Sequence, residues 1–224
     1  MARRSDSRPV AMARRPQFLE RGGFEVLDDI PGQERIYSRM LREALDLAGQ
    51  AERQEHERDE ASDTRGGHPA RRLFSCAGGP VQNALYGSEQ FLAFLAEKVG
   101  MPLSPTGLQG TYSYYVRTGD HLGLHRDIDE CDVAVISCLC DTGGPRAGAL
   151  QLYPKRVFEP LSRIRATPAQ DRMSMHLRPG QTIVVLGGFV PHVTSPMARG
   201  QKRIISALCY RGHGTTAEMF GQAA

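Results

Sequence analysis

Near the middle of the chain a histidine and an aspartate stand two positions apart, His125 and Asp127, in the segment Gly119-Asp-His-Leu-Gly-Leu-His125-Arg-Asp127. On a β-strand, residues i and i+2 project from one face, so an imidazole and a carboxylate would converge on a point. A second histidine, His192, follows an apolar run in Phe189-Val-Pro-His192-Val-Thr. A barrel or jelly roll can carry it to the same place. Two imidazoles and one carboxylate on one side of an octahedral ion leave three positions open. Non-haem iron(II) uses that arrangement when it must hold a bidentate co-substrate and O2 together. The competing reading is a surface turn with a salt-bridged aspartate, so the elements around the three residues decide.

Those elements are two helices followed by many short strands. Residues 24–30 read as an extended opening, broken by Pro31-Gly32. Ile36, Met40, Leu41, Ala44, Leu45 and Ala48 then recur at three- and four-residue steps, which predicts a helix with these side chains on its buried face. Residues 50–65 are almost wholly charged and polar and are expected to extend that helix into solvent, breaking near Gly66-Gly67, as a candidate lid. Residues 72–76 read as a strand. Ser88 is a good N-cap for a helix over 89–99 with Phe91, Leu92 and Leu95 inward, and Gly100 and Pro102 stop it. Beyond it, residues 108–117, 133–140, 149–153, 173–177, 182–186 and 203–210 are short, β-branched or aromatic, and separated by Gly, Pro and Asp turns. The pattern predicts a mainly β (α+β) fold: a jelly roll, cupin-like, braced by N-terminal helices.

Composition narrows the function classes. Of 224 residues 40% are hydrophobic, enough to bury one sizeable core. The formal charge is +3, but residues 1–16 hold five arginines and one aspartate, a local +4, so the rest of the chain is close to neutral. That excludes a broad basic face for nucleic acid and marks 1–16 as a disordered basic tail. The cysteines, Cys76, Cys131, Cys138, Cys140 and Cys209, fit neither a zinc site nor a disulfide frame and read as reduced buried thiols. Cys138 and Cys140 share one strand face. No apolar run reaches membrane length, and a cytoplasmic location is expected. Oligomeric state is not legible.

Taken together, the motifs over roughly residues 109–211 resemble the 2-oxoglutarate- and iron(II)-dependent oxygenase superfamily, especially its prolyl-hydroxylase-like branch. The resemblance rests on a Tyr-rich strand before His125-Arg-Asp127, on Gly148-Ala-Leu-Gln-Leu-Tyr-Pro154, on Pro179-Gly-Gln-Thr-Ile-Val-Val-Leu186, on Pro191-His192, and on a closing Arg203-Ile-Ile-Ser-Ala-Leu strand. It implies a double-stranded β-helix in one oxygenase domain over 17–224, with a helical part at 24–100 and a core at 107–212. It implies iron(II) held by His125, Asp127 and His192, with 2-oxoglutarate and O2 as co-substrates and a C–H bond of a small molecule, amino acid or peptide as the target. Arg203 would pair with the distal carboxylate of 2-oxoglutarate; Lys202, on the opposite strand face, is the alternative. Tyr115, ten residues before His125, would hydrogen-bond the co-substrate, with Tyr112 and Tyr114 as competitors. An intact Asp127 argues against halogenation. His121 reads as a rim residue, Arg126 as facing outward, and His176 and His213 as ordinary. Gln151 is undecided between faces. A non-catalytic cupin-like module would share the strands without needing Arg203; a metal enzyme that does not use 2-oxoglutarate usually shows a richer histidine cluster.

Overall fold

The computed structural model describes residues 17–28, 30, 32–58, 65–144 and 147–213; the tail expected over 1–16 lies outside them. The chain opens with α1 (Gln17–Glu20), β1 (Phe24–Leu27), α2 (Gln33–Leu47), β2 (Glu52–His56) and β3 (Arg71–Ala77). Helices α3 (Pro80–Tyr86) and α4 (Glu89–Val99) lead into β4 (Leu103–Pro105), β5 (Thr111–Tyr115), β6 (His121–His125) and β7 (Val133–Asp141). The last part holds β8 (Leu150–Leu152), α5 (Leu161–Ala166), β9 (Met173–Met175), β10 (Thr182–Val185), β11 (His192–Thr194) and β12 (Arg203–Gly212). All strand pairs are antiparallel, in the order β1-β10-β7-β12-β5-β3-β6-β11-β8-β9. Strand β3 bridges the two halves of this curled sheet: its end pairs with β5 and its start with β6.

Helix α2 buries Tyr37, Met40 and Ala44 against Tyr112 and Tyr114 of β5, Leu139 of β7 and Ile204 of β12. Its expected stripe is narrower than the periodicity suggests, because Leu45 is 56% exposed and Ala48 also faces solvent. Glu43 on the same helix accepts from Val81 N (2.6 Å) and Gln82 N (3.0 Å), so it caps α3, and it also accepts from the Tyr112 hydroxyl (2.6 Å). In α4, Ser88 accepts from Phe91 N and Gly100 closes the helix at φ 77°, both as the residue types require. Phe91, Leu95 and Val99 join Val133, Val135, Ile183 and Val185 in the main core.

Three readings need correction here. Residues 52–56 are not a helical extension but strand β2, an edge strand paired with β3; residues 59–64, the rest of the expected lid, lie outside the described residues. Edge strands carry charge on purpose, which hides them from an apolar pattern. Cys131 and Cys209 form a disulfide across 78 residues of sequence, leaving Cys76, Cys138 and Cys140 free. Cys138 and Cys140 do not share a face, because the register of β12 against β7 skips Leu139 between Ile204 and Ile205. This bulge turns Cys138 toward the main core and Cys140 toward α2.

Strand β2 is tied down by an ion pair. Arg53 Nη1 lies 2.7 Å from Asp120 Oδ1, and the Asp120 side chain is fully buried. The other carboxylate oxygen accepts from Val116 N and Arg117 N, both at 2.9 Å, and so shapes the β5–β6 turn. Asp120→Ala is expected to lower stability by about 2–3 kcal/mol, since it strands two backbone donors and one partly exposed guanidinium. Chemical denaturation checks this; a loss under about 0.5 kcal/mol, the range of an ordinary surface substitution, contradicts it.

Candidate metal centre

His125 is the last residue of β6 and pairs in register with His192, the first residue of β11. The two rings lie side by side, centroids 4.2 Å apart. Asp127 is not on the strand as the i, i+2 argument supposed. It sits just beyond the end of β6, where its backbone N donates to Gly187 O at 2.8 Å. Its carboxylate still turns back between the rings, with Oδ1 3.5 Å from His125 Nε2 and 3.6 Å from His192 Nε2. The structure thus gathers His125, Asp127 and His192, with ligand atoms within 4.8 Å of one another.

Each imidazole is oriented from behind. His125 Nδ1 is 2.8 Å from Gly123 O, and His192 Nδ1 is 2.9 Å from Val190 O. A carbonyl can only accept, so each ring carries a proton on Nδ1 and turns Nε2 toward the shared space. Burial and the neighbouring His125 push His192 down to about 4, so it is neutral at pH 7. Burial alone would raise Asp127, but His192, His125 and Arg65 together hold it below the usual carboxylate value. The cluster therefore offers two imidazole nitrogens and one carboxylate oxygen. That chemistry fits a divalent transition ion and leaves its far side facing a cavity.

Several residues that hold this geometry carry no motif. A Cβ at Gly187 would lie 1.8 Å from Asp127 Oδ2, so only glycine leaves that carboxylate its place. A Gly-Gly pair between an apolar strand and Pro191-His192 was the available signal. Arg126 points away from the cluster, but it is buried (7% exposed) rather than outward-facing. It donates to Phe189 O (3.0 Å), Val157 O (2.9 Å) and Glu159 O (2.8 Å), which ties the Asp127 loop to the loop before His192. Arg65 pairs with Asp132 at 2.7 Å and donates to Ile128 O, closing the same rim.

The cavity measures about 280 Å³, and its wall includes all three cluster residues, Tyr115 and Arg203. Exposed Lys202 and half-buried His121 and Gln151 are not part of that wall. Tyr112 and Tyr114 face α2 instead, bonding Glu43 and Ala44 O. Tyr115 is buried, its hydroxyl bonded to Thr194 and raised to about 12 mainly by burial. Arg203 pairs in register with Tyr115 on one side and Asp141 on the other. Its guanidinium is already engaged. Nε and Nη2 lie 2.8 and 2.7 Å from Asp141 Oδ2, Nη1 donates to Gly148 O, and Nη2 also reaches Leu177 O (3.3 Å). His176 completes the network, with Nδ1 3.3 Å from Arg203 Nη2 and Nε2 3.2 Å from Asp141 Oδ2. It is not the isolated residue its sequence context suggests.

No protein-family model and no curated protein matches the chain. Solved structures do. A 2OG-Fe(II) oxygenase family oxidoreductase from Burkholderia pseudomallei is 13% identical, with 87% of this chain and 88% of that one aligned at a TM-score of 0.56. A prolyl hydroxylase from Trichoplax adhaerens, in complex with a hypoxia inducible factor peptide fragment, is 15% identical over 94% and 91% at 0.57. HygX from Streptomyces hygroscopicus, with nickel, 2-oxoglutarate and hygromycin B bound, is 16% identical over 92% and 89%, also at 0.57. The fold is that of the 2-oxoglutarate and iron(II) oxygenases, a double-stranded β-helix, as the sequence resemblance implied. Among the described residues no helix is long and apolar enough to cross a membrane.

Proposed function

We propose that the chain is an iron(II)- and 2-oxoglutarate-dependent dioxygenase that hydroxylates a C–H bond of a small-molecule, amino-acid or peptidyl substrate. The observation that carries this reading is the convergence of His125, Asp127 and His192 on one cavity wall, with both Nε2 atoms turned toward the Asp127 carboxylate. His125 and His192 bind the metal through Nε2, held in place by Gly123 O and Val190 O. Asp127 supplies the third donor and a negative charge. Thr194 lies two residues along β11 from His192, roughly 7 Å at the rise of a strand. Tyr115 and Arg203 meet the ligand there, at a separation that suits a five-carbon dicarboxylate chelated at one end. Lys202, exposed ahead of β12, takes no part. Leu73, Leu122, Ile136, Leu150 and Ile205 line the cavity and keep bulk water from it. Bound iron(II) supplies the oxidation: with O2 it converts 2-oxoglutarate to succinate and CO2 and adds one oxygen atom to the substrate carbon. The cavity is at the small end for a ligand site, so it accommodates the co-substrate and one substrate group rather than a large ligand whole.

The test is incubation with iron(II), a reductant, 2-oxoglutarate and a panel of amino acids, peptides and small cyclic metabolites. Succinate release coupled to a mass gain of one oxygen in a panel member is the expected result. A metal-loaded protein that neither binds 2-oxoglutarate nor releases succinate sinks the proposal. We also propose a cytoplasmic location. A Cys131–Cys209 bond found intact in protein alkylated inside cells argues against it.

A further inference from the structure

The cavity wall carries a second guanidinium. Along β3, alternate residues Arg71, Leu73 and Ser75 all face the cavity. Arg71 pairs in register with Leu122, and Leu122 with Thr194, whose side chain bonds Tyr115. Both Arg71 and Arg203 lie close enough to the Tyr115 hydroxyl to lower its pKa. The two arginines therefore sit at the same end of the cavity, away from the histidines.

Their situations differ. Arg203 is neutralised by Asp141, and the two side chains are 4% and 3% exposed. Arg71 meets only neutral acceptors: Nε donates to Pro69 O at 3.3 Å and Nη1 to Gln54 Oε1 at 3.2 Å. No ion pair among the described residues includes it, and Nη2 has no hydrogen bond there. The charged side chains of the wall are thus Asp127, Arg71 and an Arg203 already balanced from behind. Before any ligand enters, Asp127 and Arg71 cancel. A divalent ion adds two positive charges, and a dicarboxylate brings two negative ones.

We infer that Arg71 receives a ligand carboxylate in this cavity and supplies the uncompensated positive charge that Arg203 lacks. Gln54, on the neighbouring strand β2, aims it through Nη1. The inference rests on the dioxygenase reading of the site. The carboxylate comes from one of two sources, the distal end of 2-oxoglutarate or an acid group of the oxidised substrate. A partly buried guanidinium recognises both in the same way.

Calorimetry on protein loaded with zinc, a redox-silent divalent ion, separates the outcomes without relying on turnover. Two 2-oxo acids of equal length are compared, 2-oxoglutarate and 2-oxopentanoate, which lacks the distal carboxylate. If the co-substrate is the source, Arg71→Gln weakens 2-oxoglutarate by about 10- to 100-fold, the range of a charge-assisted hydrogen bond. It then leaves 2-oxopentanoate unchanged, and Arg71→Lys recovers part of the loss. If the substrate is the source, 2-oxoglutarate binding is unaltered, but N-acetyl amino acids added to the loaded protein lose affinity in Arg71→Gln while their amides do not. Unchanged 2-oxoglutarate affinity with no acid-selective loss overturns the inference and leaves the dioxygenase reading standing. A wild-type protein that binds neither 2-oxo acid overturns both. Thermal melting of each variant in the absence of ligand shows that it is folded.

Discussion

Replacing Asp127 with alanine is expected to leave a folded protein that no longer gains stability from divalent metal and no longer consumes 2-oxoglutarate. The carboxylate is inserted between two imidazoles, and burial works against its charge. The two imidazoles and Arg65 outweigh that burial cost and hold its pKa below the usual value, so removing it takes some stability from the metal-free protein as well. It takes a great deal from the loaded one, because a ligand at 100 times its dissociation constant stabilises by about 2.7 kcal/mol, which for a chain of this size is roughly 5–10 °C in Tm. Wild type should show that rise with iron(II) or zinc, and Asp127→Ala should not. Gly187→Ala makes the same point from the opposite side. Its new methyl group would meet Asp127 Oδ2, the movable end of a side chain, rather than backbone. The carboxylate then swings off the shared point, and metal affinity falls by about 10- to 100-fold, as when other groups that orient a ligand are lost. Metal titrations followed by melting temperature check both variants. A full metal-induced rise in Asp127→Ala would remove that residue from the ligand set.

How much of this was legible follows from how locally each feature is encoded. The two histidines and the aspartate could be read because His125 and Asp127 stand two positions apart and His192 follows a short apolar strand in a Pro-His pair. Strands β5, β7, β10 and β12 could be read because they alternate or run apolar between turn residues. Strand β2 could not: Glu52, Arg53 and Glu55 carry edge-strand chemistry that is indistinguishable from a solvated loop until its partner β3 is known. The expected buried face of α2 was misplaced near its end, where Leu45 and Ala48 are exposed and Leu47 packs against the cluster of Tyr112 and Tyr114 instead.

Features that depend on register were out of reach. The Leu139 bulge reverses the relation of Cys138 to Cys140, and nothing in the tripeptide announces it. The Cys131–Cys209 pair is set by Ala134 facing Cys209 across β7 and β12, while Asp132 N donates to Tyr210 O. The chain just before β7 is thereby held against the end of β12. Arg71 and Arg72 are equivalent in sequence. Only pairing with Leu122 and His121 decides that the first faces the cavity while the second pairs with Glu55 on the outer side. Asp141, which decides the charge state of the whole Arg203 end, reads in sequence as a turn residue after a strand.

That last residue leads to the second large effect. Asp141→Ala is expected to unfold about 10 °C below wild type when no ligand is present. Losing one partner of a buried ion pair costs about 3–5 kcal/mol, at roughly 2–4 °C per kcal/mol for this chain length. The carboxylate lost is the acceptor of both Arg203 Nε and Nη2 and the partner of His176 Nε2. Gly148 O and Leu177 O remain, but neither carries charge. Arg203 is then a buried cation beside a cavity that already contains Arg71. A dicarboxylate arriving in that cavity now answers two uncompensated charges instead of one. Added 2-oxoglutarate with zinc should therefore raise the melting temperature of Asp141→Ala by more than it raises that of wild type. The double variant Asp141→Ala, Arg203→Met removes the stranded cation and should recover much of the lost stability while losing the enhanced response. Melting curves of the three proteins with and without ligand measure all of this. An Asp141→Ala protein as stable as wild type would mean that Arg203 is not held by that carboxylate, and would leave Arg203 as well as Arg71 a free cation of the cavity.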